Sequence, residues 1–199
     1  MTSLFARFSP CFYVQMRESR LTVTDVATGE RWDQAPLLAI ETGDKGKKEV
    51  VAFGDEAKHR ASPTTQVVNP FAHTRSLLSD FSVAEKLLQL VFKALGKRRF
   101  IPVTPAVIMH PMEKAEGGLS QIEIRAFREL ALGAGARSVL VQEGPELVAQ
   151  NIDFAQLERE QQALEGLDLA GRSARSGGWL VNILFIAGAV FLFWRLGNG

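Results

Sequence analysis

The chain has 199 residues, with 23 basic and 22 acidic side chains and a formal net charge of +1. That length holds one domain of roughly 150 residues plus a further segment, and the charge balance excludes the basic footprint of a nucleic-acid binder. A single cysteine, Cys11, rules out an intrachain disulfide, argues against a thiolate zinc site and points to a reducing compartment.

The first ten residues have no continuous apolar core, so no secretory signal is read there. Phe5 and Phe8 flank Arg7 and could press into a lipid headgroup region. A frayed terminus explains them equally well, because so short a segment binds weakly without a second anchor. Phe12 to Met16 and Leu21 to Thr24 read as two strands joined by a turn at Arg17 to Arg20, the second ended by Thr28-Gly29. Leu37 to Ile40 and Val50 to Phe53 read as two more, separated by the charged run from Gly43 to Lys48. Gly54 to Arg60 could open a short helix. Residues 62–74, with Pro63 and Pro70, read as loop.

A helix is expected from Ser82, where Ser82 and Glu85 have capping-box spacing and Val83, Leu87, Leu90, Val91 and Leu95 share a face. Gly96 ends it, and the basic trio Lys97 to Arg99 suits the negative end of its dipole. Pro102 to Met109 is an apolar strand. A second helix runs from about Gln121 to Leu132, capped by Ser120 with Glu123, and stops at Gly133-Ala-Gly135. Ser138 to Val141 is the strand that follows. Strand hairpins followed by helix, strand, helix, strand favour an α/β domain with a mixed sheet over residues 11–153. Residues 154–178 form an acidic amphipathic helix to about Leu169, which packs on the domain or pairs with another copy, and then a flexible Gly/Ser joint.

From Gly177 to Leu196 the only charge is Arg195. About twenty such residues span about 30 Å as a helix, the thickness of a bilayer's hydrocarbon core. One transmembrane helix is therefore expected at residues 179–196. Trp179 and Trp194 sit at the two interfaces, with Leu180, Ile183, Phe185, Phe191 and Phe193 facing lipid. A buried core helix rarely stays apolar on every face over that length. Arg172 and Arg175 before the span place the N-terminal domain in the cytoplasm by the positive-inside rule.

Several stretches resemble the MreB family of bacterial actins, in order and at similar separations. They are Val51-Ala-Phe-Gly-Asp-Glu-Ala-Lys58, Leu78-Ser-Asp-Phe81 with Val83-Ala-Glu-Lys-Leu-Leu88, Glu123-Ile-Arg-Ala-Phe-Arg128, and Ala131-Leu-Gly-Ala-Gly-Ala-Arg-Ser-Val-Leu-Val-Gln-Glu143. Leu4-Phe-Ala-Arg-Phe-Ser9 is similar to the membrane-touching start of many such chains. The resemblance implies an actin-like (ribonuclease H-like) half-fold with a mixed sheet, fused to the anchor.

It also implies where a nucleotide would sit, and there the chain departs. Such proteins hold ATP between two halves, each with a Gly-rich turn presenting backbone amides to phosphate. Where the first turn of the family reads Asp-Leu-Gly-Thr, this chain reads Gln15-Met16-Arg17-Glu18. The metal-side carboxylate is an amide, the glycine is Arg17, and Glu18 brings a new carboxylate to the place of phosphate. The second turn, expected a short way after Glu143, gives way to the acidic helix and the anchor. Of the acidic pair that positions water in the family, Gln142-Glu143 keeps only Glu143, which suggests a structural or relic role. His59, His73 and His110 have no ligand spacing, so no metal site is expected.

The expectation is a non-enzyme without cofactor: a scaffold on the bacterial inner membrane that binds an MreB-type filament or an envelope assembly complex, with no nucleic acid. Two alternatives stand beside it. One is an assembly component of a pilus or secretion machine, in the manner of PilM- and GspL-type proteins. The other is an ATPase that completes its site with another chain, against which Arg17 and Glu18 count.

Overall fold

A computed structural model describes residues 10–73, 76–96, 104–115 and 117–163. The chain divides into two units, Met1–Phe154 and Ala155–Gly199. The first contains β1 (Cys11–Met16), β2 (Leu21–Asp25), β3 (Arg31–Gln34), β4 (Leu38–Thr42), β5 (Lys48–Phe53), β6 (Thr65–Val68), α1 (Phe81–Gly96), β7 (Ala106–Pro111), α2 (Gln121–Gly133) and β8 (Ser138–Val141).

Five strands form one mixed sheet in the order β3-β2-β1-β7-β8. β1 pairs antiparallel with β2, Val14 opposite Val23, and parallel with β7, Gln15 opposite His110. β8 adds to β7 in parallel. A parallel pair needs a long crossover, and α2 supplies the one between β7 and β8. β1 and β7 are buried nearly throughout, as central strands covered on both faces are, which is why they read as apolar runs rather than alternating ones.

The core lies between this sheet and the helices. Phe12, Val14 and Met109 meet Leu87, Leu88, Val91 and Phe92 of α1 and Phe127, Leu130 and Ala131 of α2. The Phe12 and Phe92 rings lie 5.3 Å apart and tilted. Each such side chain contributes about 1.5–3 kcal/mol on burial, so the core outweighs any single surface pair. The buried face of α1 is centred on Leu87, Leu88 and Val91, with Ala84 and Phe92; Leu90, expected on that face, is only half-buried. The cap also differs from expectation. Asp80 Oδ1 accepts the Val83 amide at 3.0 Å, so the helix starts one residue before Ser82, and Ser82 lies inside its first turn. The expected cap of α2 is present: Ser120 and Glu123 form a reciprocal capping box.

β4, β5 and β6 make a second sheet in the order β5-β4-β6. Two strands, β3 and β6, stand where no strand was expected. β3 is short and polar, with Trp32 alone turned inward, and β6 lies in the stretch read as loop. Both gain their hydrogen bonds from strands that periodicity cannot reveal: β3 from β2, and β6 from β4. Gly54 turns the chain out of β5 at φ +72°, and a Cβ there would lie 2.1 Å from Gln34 Oε1 and 2.9 Å from the Trp32 ring. Residues 54–59, expected as a short helix, form a 3-10 helix.

Of the second unit, residues 155–163 are described and helical, in keeping with the expected amphipathic helix; the remainder of that helix lies outside the described residues. So do the expected membrane residues Phe5, Phe8, Trp179, Leu180, Ile183, Phe185, Phe191, Phe193 and Trp194. Among the described residues no helix is long and apolar enough to cross a membrane.

Candidate functional site

In open α/β sheets, ligand sites form beyond the carboxyl ends of the parallel strands. Here those ends belong to β1, β7 and β8, and three segments leave them: the turn Arg17–Arg20, the loop from Met112, and the stretch from Gln142 to Leu147. Backbone bonds hold the first two side by side, the Met112 amide donating to Met16 O at 2.9 Å. The Gln142 amide donates to Met109 O at 2.8 Å and aligns the third.

The four residues that stand where the resemblance sets a phosphate turn, Gln15 to Glu18, go to different tasks. Met16 is fully buried in the core. Gln15, also buried, donates through Nε2 to Glu146 Oε1 at 2.6 Å. The Arg17 guanidinium lies 3.8 Å from the other oxygen of Glu146, and its amide closes the turn onto Arg20 O at 2.9 Å. The Glu18 carboxylate meets Lys114 Nζ at 2.6 Å. Its amide donates to Glu113 Oε2 at 2.8 Å, and its carbonyl accepts from Asn69 Nδ2 at 2.8 Å. Lys114 holds a left-handed backbone, φ +59°, uncommon for a side-chain-bearing residue, and its ammonium also donates to His73 O.

The backbone amides that a phosphate turn would offer are thus engaged at Arg17 and Glu18. The carboxylate that meets Gln15 and Arg17 is Glu146 rather than Glu18. Nothing in the sequence pattern pointed to Glu146, since it lies 131 residues from Gln15.

Glu143 serves elsewhere. Its Oε2 accepts the Leu119 amide at 2.8 Å, just ahead of the α2 cap. A Cβ on Gly118 would come within 3.3 Å of the same oxygen. It therefore anchors the loop into α2, and no bond joins it to the β1 turn among the described residues.

Beneath the site runs a buried chain of polar groups. Tyr13 Oη lies 2.7 Å from His110 Nδ1 and accepts the Leu147 amide at 3.1 Å. His110 Nε2 lies 3.1 Å from Gly144 O. Gly144 O can only accept, so the neutral imidazole donates through Nε2–H and leaves Nδ1 to accept the tyrosine hydrogen. Burial lowers the His110 pKa below its ordinary value and raises that of Tyr13. Both side chains are hydrogen-bonded on the polar atoms that burial takes from water. Burial, with Asp25 nearby, also pushes the Cys11 thiol up to about 12, so it is no thiolate nucleophile at neutral pH. Among the described residues no cluster of His, Cys, Asp and Glu could hold a metal ion.

A mixed five-stranded sheet with antiparallel hairpin strands on one side and helix-linked parallel strands on the other defines an actin-like fold. The crystal structure of MreB5 of Spiroplasma citri bound to ADP superposes with a TM-score of 0.52 at 16% identity, over 68% of this chain and 38% of that one. The chain belongs to the MreB/Mbl protein family, whose profile matches residues 26–156. The cell shape-determining protein MreB of Haemophilus influenzae is 32% identical over 115 residues, covering 57% of this chain and 32% of the relative. The Escherichia coli K12 protein of the same description is 34% identical over 115 residues. The chain thus spans about a third of the length of these MreB relatives. Uncharacterized protein YjaA of Escherichia coli K12 is 30% identical over 127 residues, covering 61% of this chain and 74% of that protein.

Proposed function

We propose that this chain is a non-enzymatic actin-like scaffold, tethered to the bacterial inner membrane with its N-terminal domain in the cytoplasm, which binds protein partners of the cell-shape cytoskeleton. The observation that carries the reading is the turn after β1. Where a glycine would let backbone approach phosphate, Arg17 and Glu18 stand, tied to Glu146 and Lys114. A nucleotide would have to displace these bonds and would meet an extra carboxylate. Family membership supports a cytoskeletal role, and an MreB-type filament is the partner of choice. The apolar run from Gly177 to Leu196, with tryptophans near both ends, supports the tether.

The test is isothermal titration of the full-length protein in detergent micelles with Mg-ATP, alongside a phosphate-release assay. No heat and no turnover are expected; saturable binding below about 100 μM, where a site would contribute at least about 5.5 kcal/mol, would defeat the non-enzymatic reading. Deleting residues 177–199 tests the tether separately. The domain should move to the soluble fraction, and its retention on membranes would count against the C-terminal anchor.

A further inference from the structure

We propose that the Tyr13–His110 pair is a proton-operated latch: a second proton on His110 releases the segment Gly144–Leu147 from the strand ends while the sheet stays folded. The inference depends on neither the tether nor the nucleotide reading. His110 alternates along β7 with Met109, whose side chain joins the core beneath the helices, so it faces the other side of the sheet. There Tyr13 and His110 are 1% and 0% exposed, and between them they hold both ends of the segment. His110 Nε2 bonds Gly144 O, and Tyr13 Oη bonds the Leu147 amide. Gly144, Pro145 and Glu146 are exposed and Leu147 is half-buried, and a stretch with so little buried apolar surface opens at low cost. Glu146 is tied to Gln15 at 2.6 Å and to Arg17 at 3.8 Å. Just upstream, the Gln142 amide bonds Met109 O and Glu143 accepts the Leu119 amide. Those two ties set the hinge at Gly144, φ +93°, where glycine tolerates the change of backbone angle.

The bonds run in one direction, from Leu147 N–H through Tyr13 O–H to His110 Nδ1, and from Nε2–H to Gly144 O. A proton taken from solvent at Nδ1 sets N–H against O–H across 2.7 Å. Tyr13 must then turn its hydrogen away from the acceptor it had. Its oxygen is left to serve two donors, Nδ1–H and the Leu147 amide. A buried imidazolium also lacks hydration, which lifting the segment restores. The titratable and charged groups that face His110 are Tyr13 from β1, Arg17 from the turn after it and Glu146 from the segment itself. β8 offers none over Ser138–Val141, and α2 packs on the opposite face through apolar side chains. Burial, the largest effect, and Arg17 disfavour the imidazolium; Gly144 O and Glu146 favour it, and burial prevails. The closed segment therefore binds the proton less tightly than the open one. Falling pH shifts the population towards the open form, by at most about tenfold per pH unit below about pH 6.5. Opening carries Glu146 away from Gln15 and Arg17, so these groups at the strand ends are covered at neutral pH and uncovered in acid.

The test is amide hydrogen exchange of the full-length protein in detergent micelles between about pH 7.5 and about pH 5, each rate divided by the intrinsic rate at that pH. The Leu147 amide should lose protection below about pH 6.5, by up to about tenfold per unit, while the amides of β1 and β7 keep theirs. His110→Gln offers a donor to Gly144 O but takes up no proton, so its Leu147 amide should show no such step. Three results would each overturn the proposal: a pH-independent Leu147 amide, loss of protection in step with β1 and β7, or the same step in His110→Gln. If that variant does not fold, the His110 ring and the Leu147 amide of the wild type are followed together by NMR. One shared midpoint below about pH 6.5 is expected, and separate midpoints would sink the latch.

Discussion

The Tyr13 hydroxyl lies 2.7 Å from His110 Nδ1, joining residues 97 apart in the sequence. They sit two positions out of register on neighbouring strands, Tyr13 being opposite Ile108, so the bond runs diagonally across the sheet. It sits under the segment that leaves β8 and fixes that segment to the strand ends. Tyr13→Phe keeps the ring and removes the hydroxyl, leaving the Leu147 amide and His110 Nδ1 without it. The expected loss is about 1–3 kcal/mol for an unsatisfied buried group, read from denaturant unfolding; an unchanged midpoint would show that the network is replaceable.

His110 gives that network a pH dependence. Burial is the largest cause lowering its folded pKa below 6.5, with the Arg17 charge assisting and the Gly144 hydrogen bond and Glu146 opposing. The unfolded chain therefore takes up the proton first as pH falls. This contribution to stability is present above about pH 6.5 and is lost as pH drops through that value towards the lowered folded pKa, at no more than about 1.4 kcal/mol per pH unit. Melting curves of wild type and His110→Gln between pH 8 and pH 5 should diverge in slope below about pH 6.5. Parallel curves would mean that His110 does not titrate on unfolding.

Glu146→Ala should also destabilise, and for a reason local to the site. The Gln15 amide is buried, and Glu146 is its acceptor. Losing it leaves a buried donor unpaired, at a cost of about 1–3 kcal/mol. Because the Arg17 contact is longer and partly exposed, Arg17→Ala should cost less than about 1 kcal/mol. Equal losses from the two variants would show that the ion pair, rather than the buried amide, holds Glu146.

Gly54 and Gly29 both have φ +72°, but only Gly54 is crowded, and Ala substitutions separate the two effects. Gly29→Ala meets nothing within 4 Å and should cost only the backbone strain, about 1 kcal/mol. Gly54→Ala must also displace Gln34, whose Oε1 accepts the Asp55 amide at 3.0 Å, and press on Trp32. Overpacking of that kind adds about 1–3 kcal/mol. Thermal melts that rank the two variants equally would remove the steric part of this account.

The start of α1 can be tested by its cap. Asp80→Ala should cost about 1 kcal/mol, while Ser82→Ala should be near neutral or slightly stabilising, since alanine is the better residue inside a helix. The reverse order in urea unfolding would restore Ser82 as the cap.

The cap of α1 and the missed strands mark the same boundary between local and non-local information. Ser82 and Asp80 both precede an apolar-periodic run, and only the backbone shows which side chain reaches an amide three residues on. β3 and β6 are four residues each, and their partners β2 and β4 supply the pairing that their own residues do not announce. The capping box of α2, by contrast, closes within four residues, and so it was legible.

The sequence by itself determined the central strands, the helices α1 and α2 and the absence of glycine from the β1 turn, because burial on both strand faces, helical period and residue identity are properties of short segments. Tertiary structure alone decided what became of that turn. Glu146 against Gln15, Lys114 against Glu18, and His110 against Tyr13 each join residues more than ninety positions apart. Such contacts follow from parallel strands ending at one edge of the sheet, and no local pattern encodes which side chains will meet there.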